Sequence, residues 1–199
     1  YADYRWGPGG AARPTFSVEE LQVIVATAAS SGRLVSAHAG TAEGMRRATA
    51  AGVASIEHGD EGTAEVWALM KAGGVALCPT LAAAEATARY AGWKKGSQPP
   101  PARIVRKRET FKAALDAGVL ICNGSDVGVF AHGDNALELE LMVEYGMTPL
   151  DALRAATSVN ARVLQLEKVT GRIATGLGAD LVAVRGNPIE SIEALRRAL

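Results

Sequence analysis

The sequence predicts an α/β fold in which parallel strands alternate with helices, as in half of an eight-stranded (β/α) barrel. Two observations carry that reading. Four times an Ala-rich run ends in glycine and an apolar run follows at once: "SGRLVSAH" (31–38), "AGVASIEH" (51–58), "AGGVALCP" (72–79) and "AGVLICNGSD" (117–126). Glycine just past a helix takes the left-handed conformation that stops it. The runs after it are nearly continuously hydrophobic, which is how strands buried on both faces of a parallel sheet read. The second observation is the spacing. Strand, helix and strand recur about every twenty residues at first, and consecutive parallel strands need such crossovers.

Each strand has its helix. Ser17 and Glu20 form a capping box that opens "SVEELQVIVATAAS". Thr41 caps "TAEGMRRATAA" and Thr63 caps "TAEVWALMKAG". An extra helix and a Pro/Gly/Lys loop follow the third strand, so something is added there. The fourth strand comes after "PARIVRKRETFKAALDAG", an amphipathic helix with Pro101 near its start. Helices are expected at 133–146, 148–157 and 158–166, with Thr148 capping, Pro149 at the first helical position and Asp151 suited to the helix dipole. Then "DLVAV" (180–184) leaves the barrel for a β segment.

Composition narrows the function classes. The 199 residues are 48% apolar and 21% charged, which fits a globular chain with a sizeable core. Lys plus Arg and Asp plus Glu number 21 each, and no basic stripe points to nucleic acid. The cluster Arg103, Arg106, Lys107 and Arg108 reads as the solvated face of a helix. No run approaches the ~18 apolar residues of a membrane span, and no signal peptide is visible. The chain opens on "YADYRWGPGG" in mid-structure, so the natural start is expected upstream. Cys78 and Cys122 lie in separate apolar runs without CxxC spacing, which suits a reducing, cytoplasmic compartment. Four strands alone leave two raw parallel edges, an argument for pairing with another chain or a second copy in a homo-oligomer.

Counting by twenties from residue 38 gives His38, His58 and Cys78, all at the C-terminal ends of successive strands. In (β/α) barrels that end carries the chemistry. Two imidazoles and the Asp126 carboxylate from the fourth strand suit Zn²⁺ or a similar divalent ion. Taken singly, each has a plainer reading: a hydrogen-bonded histidine at a strand end, or an aspartate forming a turn. Cys78 reads as a packed thiol rather than a ligand. Two readings stand for His132 in "FAHGDN": contact with substrate, or a bystander beside an Asp134 that caps the next helix. Tyr4 and Arg5 either hold a substrate carboxylate or lie on a surface loop. The glycines of "GPGG" (7–10) make no phosphate-binding fingerprint.

The segments "VSAHAGTAEGMRRATAAGVASIEHGD", "GSDVGVFAHGDN", "MTPLDALRAATSVNARVLQL" and "GRIATGLGADLVAVRGNP" resemble the amidohydrolase superfamily, in the branch of imidazolonepropionase-like enzymes and Xaa-Pro or Xaa-Arg dipeptidases. The last segment is the most specific of them. The resemblance implies the second half of a (β/α)8 TIM-type barrel, strands 5–8 with their helices, over residues 1–170. Residues 171–199 begin the return to a small β domain and end in a helix. It implies that His38 and His58 are the metal ligands of strands 5 and 6. Asp126, from strand 8, binds metal and shuttles the proton, and His132 and Tyr4 contact substrate. One or two divalent ions, Zn²⁺ by preference, then activate a hydroxide for attack on a C–N amide bond. The implied substrate is a dipeptide or N-acyl amino acid, with a cyclic amide second. The family's first-strand His-x-His pair and fourth-strand lysine are missing from this chain.

Overall fold

The computed structural model describes residues 1–5 and 10–198. It divides into two compact units, Tyr1–Pro79 with Glu109–Ile121, and Thr80–Arg108 with Cys122–Leu199.

The first unit carries the βα repeat. Strands β1 (Asp3–Arg5) and β2 (Ala12–Pro14) form a short antiparallel pair. Helix α1 (Val18–Ala29) opens on the expected capping box: the Ser17 hydroxyl accepts from the Glu20 N–H, and the Glu20 carboxylate accepts from the Ser17 N–H. Then come β3 (Ser36–Ala39), α2 (Ala42–Ala51), β4 (Ser55–His58), α3 (Ala64–Gly73) and β5 (Ala76–Cys78). Thr41 and Thr63 cap α2 and α3 through the N–H groups of Gly44 and Val66, and both helices end on a left-handed glycine, Gly52 and Gly74. Strands β3, β4 and β5 lie side by side and parallel. Met45, Ile56, Trp67, Met70, Leu77 and Phe111 are fully buried around them, each contributing about 1.5–3 kcal/mol by leaving water.

Register corrects the count by twenties. β3 sets His38 level with Glu57, and β4 sets Glu57 level with Cys78. The residues that align are therefore 38, 57 and 78, and His58 lies one position further on. The expected fourth strand is reduced to one parallel bridge, Leu77 with Ile121. Just past it the Asn160 side chain stands where a neighbouring strand would. Its Oδ1 accepts from the Asn123 N–H and its Nδ2 donates to the Asn123 carbonyl, both at 2.9 Å. With these bonds made, the Asn123 backbone has no need of a sheet partner.

The second unit is helical. It holds α4 (Leu81–Tyr90), the first half of α5 (Ala102–Ala117), α6 (Ala136–Glu144) and α7 (Pro149–Arg154). Thr148 caps α7 by accepting from the Asp151 N–H. The two helices expected over 148–166 are one run, in which α7 passes through a π turn (Ala155–Val159) into α8 (Asn160–Val163). Segment 180–184 forms no strand beyond a single antiparallel bridge from Val184 to Ala198, and the terminal helix is a 3₁₀ turn, Ile192–Arg196. The basic cluster is not one solvated face either. Lys107 is buried, and the Arg108 guanidinium lies 4.7 Å over the Tyr145 ring while pairing with Glu144 at 2.8 Å.

Helix α4 starts without a cap of its own. Thr80 adopts φ 50° and its side chain accepts nothing from the helix. The exposed N–H groups of Leu81 and Ala82 go instead to the Glu138 carboxylate of α6, at 2.9 and 2.7 Å. A negative group at a helix N-terminus is favourable, but this one is fully buried. Burial pushes the Glu138 carboxyl up to about 7, against the two backbone donors and Lys107, which pull it down.

Candidate functional site

His38 and His58 end adjacent strands of the first unit, and their rings meet edge to face with centroids 4.4 Å apart and planes at 70°. The pleat alone does not predict this contact. Successive side chains of a strand point to opposite faces. By register His38 therefore shares a face with Glu57, while His58 belongs with Ile56 on the other. The backbone of His58 breaks the alternation, with φ 78°. A left-handed turn at that residue ends the pleat and carries the imidazole across to His38. For a side chain larger than hydrogen this conformation costs roughly 1–2 kcal/mol. The surroundings hold it in place: the Gly59 N–H donates to the Ala39 carbonyl at 3.1 Å, and the Glu61 N–H to the Gly40 carbonyl at 2.8 Å. Gly59 leaves no room for adjustment, since a Cβ there would lie 2.5 Å from the Leu77 side chain.

The other flank of His38 is β1. The Ala2 N–H donates to the His38 carbonyl at 2.8 Å. This brings Asp3, which is only 1% exposed, to the start of α2. Its carboxylate accepts from the N–H groups of Gly40 (3.1 Å) and Thr41 (2.7 Å) and from the Thr41 hydroxyl (2.6 Å). A methyl group at Gly44 would run into that carboxylate. Asp3 Oδ1 lies 3.9 Å from His38 Nε2. That is beyond hydrogen-bond reach but close enough to favour one orientation of the ring by charge. On the same flank the Tyr1 ring stands 4.6 Å from the His38 ring and 5.4 Å from Tyr4. Tyr1, Tyr4, Thr15 and Phe16 line a cleft of about 400 Å³.

The sequence-predicted residues thus divide between the units. His38, His58 and Tyr4 belong to the first, Asp126 and His132 to the second. Asp126 is exposed, with left-handed backbone at φ 56° and its carbonyl accepting from the Val129 N–H. His132 is exposed in the turn before α6. Cys78 is buried and not disulfide-bonded, as expected of a packed thiol. Asp134 does not cap α6; it pairs with Arg196 at 2.5 Å. A larger cavity of about 740 Å³ in the second unit is lined mainly by apolar side chains, with Asn123, Asn160, Arg172 and Asp180 among them, and by none of the predicted site residues.

Two imidazoles in contact at strand ends are a donor set suited to a borderline divalent ion, and His38 is open enough, at 35% exposed, for a ligand to reach. Among the described residues no three His, Cys, Asp or Glu side chains are grouped so as to hold a metal. The histidine pair therefore fits part of a coordination sphere. Sequence reasoning missed Asp3, Tyr1, Thr15 and Phe16. Nothing local marks them, because each gains its place from β1 lying beside β3.

Comparison with known proteins adds to the geometry. The family model described as the amidohydrolase family matches residues 7–198. An ochratoxinase from Aspergillus niger is 37% identical over 188 residues, covering 89% of this chain and 38% of that protein. Its crystal structure superposes with a TM-score of 0.79, covering 90% of this chain and 42% of that one. The crystal structure of a Xaa-Pro dipeptidase with methionine bound in its active site gives a TM-score of 0.85 at 39% identity, covering 94% of this chain and 47% of the dipeptidase. The chain spans less than half the length of these relatives.

Proposed function

The chain belongs to the amidohydrolase family, and from that premise we propose that it supplies the later strands of a (β/α) barrel and one side of a metal-dependent amide-hydrolysing centre. The substrate is a dipeptide or an N-acyl amino acid, with a cyclic amide as the second choice. The observation that carries the reading is the histidine pair, brought ring to ring by left-handed backbone at His58.

In this reading His38 and His58 are the imidazole donors to the ion. A divalent ion bound there supplies Lewis acidity and lowers the pKa of a coordinated water. The protein's own groups do the rest. Asp3, anchored by three donors, keeps the His38 ring from turning. Asp126 is the proton carrier: it takes a proton from the attacking water and delivers it to the departing nitrogen. Water adds across the C–N bond, its oxygen to the carbonyl carbon and its proton to the nitrogen, so an acid and an amine leave. His132, in the loop after Asp126, is the second-unit contact to substrate, and Tyr4 the first-unit contact.

The test is Zn²⁺ binding by titration calorimetry, followed by hydrolysis of a panel of dipeptides and N-acetyl amino acids after reconstitution. Wild-type chain should bind Zn²⁺, and His38→Ala and His58→Ala should each weaken binding at least tenfold. Asp126→Asn should lower turnover far more than it lowers metal affinity. Zn²⁺ affinity unchanged in both histidine variants overturns the assignment.

A further inference from the structure

We propose that the cleft among Tyr1, Tyr4, Thr15 and Phe16 is a subsite for an aromatic or bulky apolar side chain next to the scissile amide; the inference rests on the hydrolase reading of the histidine pair. Three of the four lining residues carry aromatic rings, and none of the four is charged. Its volume of about 400 Å³ falls within the range of small-molecule sites. Tyr1 and Tyr4 are nevertheless 69% and 46% exposed, so their faces are available to a ligand.

Continuity ties the cleft to the chemistry. The rings of Tyr4, Tyr1, His38 and His58 follow one another at centroid distances of 5.4, 4.6 and 4.4 Å. A carbonyl held at the histidines therefore has its neighbouring side chain directed along an aromatic wall. Edge and offset contacts between rings add about 0.5–1.5 kcal/mol each beyond the burial of area. The Thr15 hydroxyl is a second, independent indication. It is buried and has no hydrogen-bond partner among the described residues, an unusual condition for a polar atom. A turn about its side-chain bond offers a donor or acceptor to the ligand's amide beside the apolar group.

Binding is separable from hydrolysis by a probe with the aryl group and no amide. We would measure 3-phenylpropanoate against propanoate by ligand-observed NMR titration, in EDTA, so that neither metal nor turnover contributes. The expected result is at least tenfold tighter binding of the aryl acid. That preference should fall to under threefold in Tyr4→Ala and Phe16→Ala and be largely kept in Phe16→Leu, which preserves apolar volume. Circular dichroism and urea midpoints on each variant exclude unfolding as the cause. Equal affinity for the two acids, or an aryl preference untouched by both alanine variants, overturns the subsite even if amides are hydrolysed. An aryl preference that the variants abolish, in a chain that cleaves no amide, upholds the cleft and removes the hydrolase reading.

Discussion

Alanine and glycine should rank in opposite order at the two histidines. At His58, with φ 78°, any L side chain carries the cost of the left-handed region, roughly 1–2 kcal/mol, and glycine does not. Glycine returns part of that gain through the greater freedom of the unfolded chain, about 0.4–1 kcal/mol. The balance leaves His58→Gly more stable than His58→Ala by about 1 kcal/mol. At His38, within strand β3, glycine has no such advantage and should be less stable than alanine by about 0.5–1 kcal/mol. Either substitution removes the same ring contact with the other histidine, so the comparison at each position isolates the backbone. Urea denaturation with a metal chelator present reads both differences, provided the slopes agree. The same order at both sites would refute the idea that backbone strain delivers the second imidazole.

Two further predictions concern buried carboxylates. Burial raises Glu138 from an ordinary 4.5 to about 7, so the folded chain holds a proton that the unfolded chain has lost between those values. The associated stability, about 3 kcal/mol, is fully present below pH 4.5 and is lost as pH rises through about 7. Urea midpoints of Glu138→Gln should lack that decline, and parallel pH profiles for variant and wild type would refute it. Asp3→Ala leaves the N–H groups of Gly40 and Thr41 and the Thr41 hydroxyl without their acceptor and should cost about 3 kcal/mol, with Asp3→Asn recovering about half. Midpoints of both variants within about 0.5 kcal/mol of wild type would show that Asp3 anchors nothing.

What could be read from the sequence was local. The caps at Ser17, Thr41, Thr63 and Thr148 join residues three apart, and each is present as read. The parallel order of β3, β4 and β5 followed from strands and helices in alternation. Register did not, because it depends on how far each helix carries the chain. Ser36 pairs with Ser55 but Ser55 with Ala76, offsets of 19 and 21 that average to the repeat while hiding a one-residue displacement of His58. Lys107 looked solvated because its neighbours Arg103 and Arg106 are exposed; what buries it is tertiary packing. The apolar run over 119–122 had the composition of a strand. No pattern announced that an Asn side chain 37 residues away would replace its sheet partner. Asp3 and Glu138 were hidden for the same reason, since their donors lie 37 to 57 residues away in sequence.

Backbone strain, though it marks His58, does not by itself identify a functional residue. Four non-glycine residues have positive φ: His58, Thr80, Asp126 and Gln165. His58 and Thr80 each lie at or just beyond the end of a parallel strand, and the turn does different work at each. At His58 it redirects a side chain to the face its register denies it, and the outcome is a ring against a ring. At Thr80 it redirects the main chain, so that the first N–H groups of α4 meet the buried Glu138 carboxylate, and the outcome is a helix cap. The same cost thus yields a chemically active group in one case and a structural joint in the other. What separates them is the group presented: an open imidazole pair invites an external ligand, whereas N–H groups already bound to a buried carboxylate have nothing left to offer one. By that criterion Asp126, exposed and left-handed, falls with His58, and its carboxylate is the group the turn leaves available.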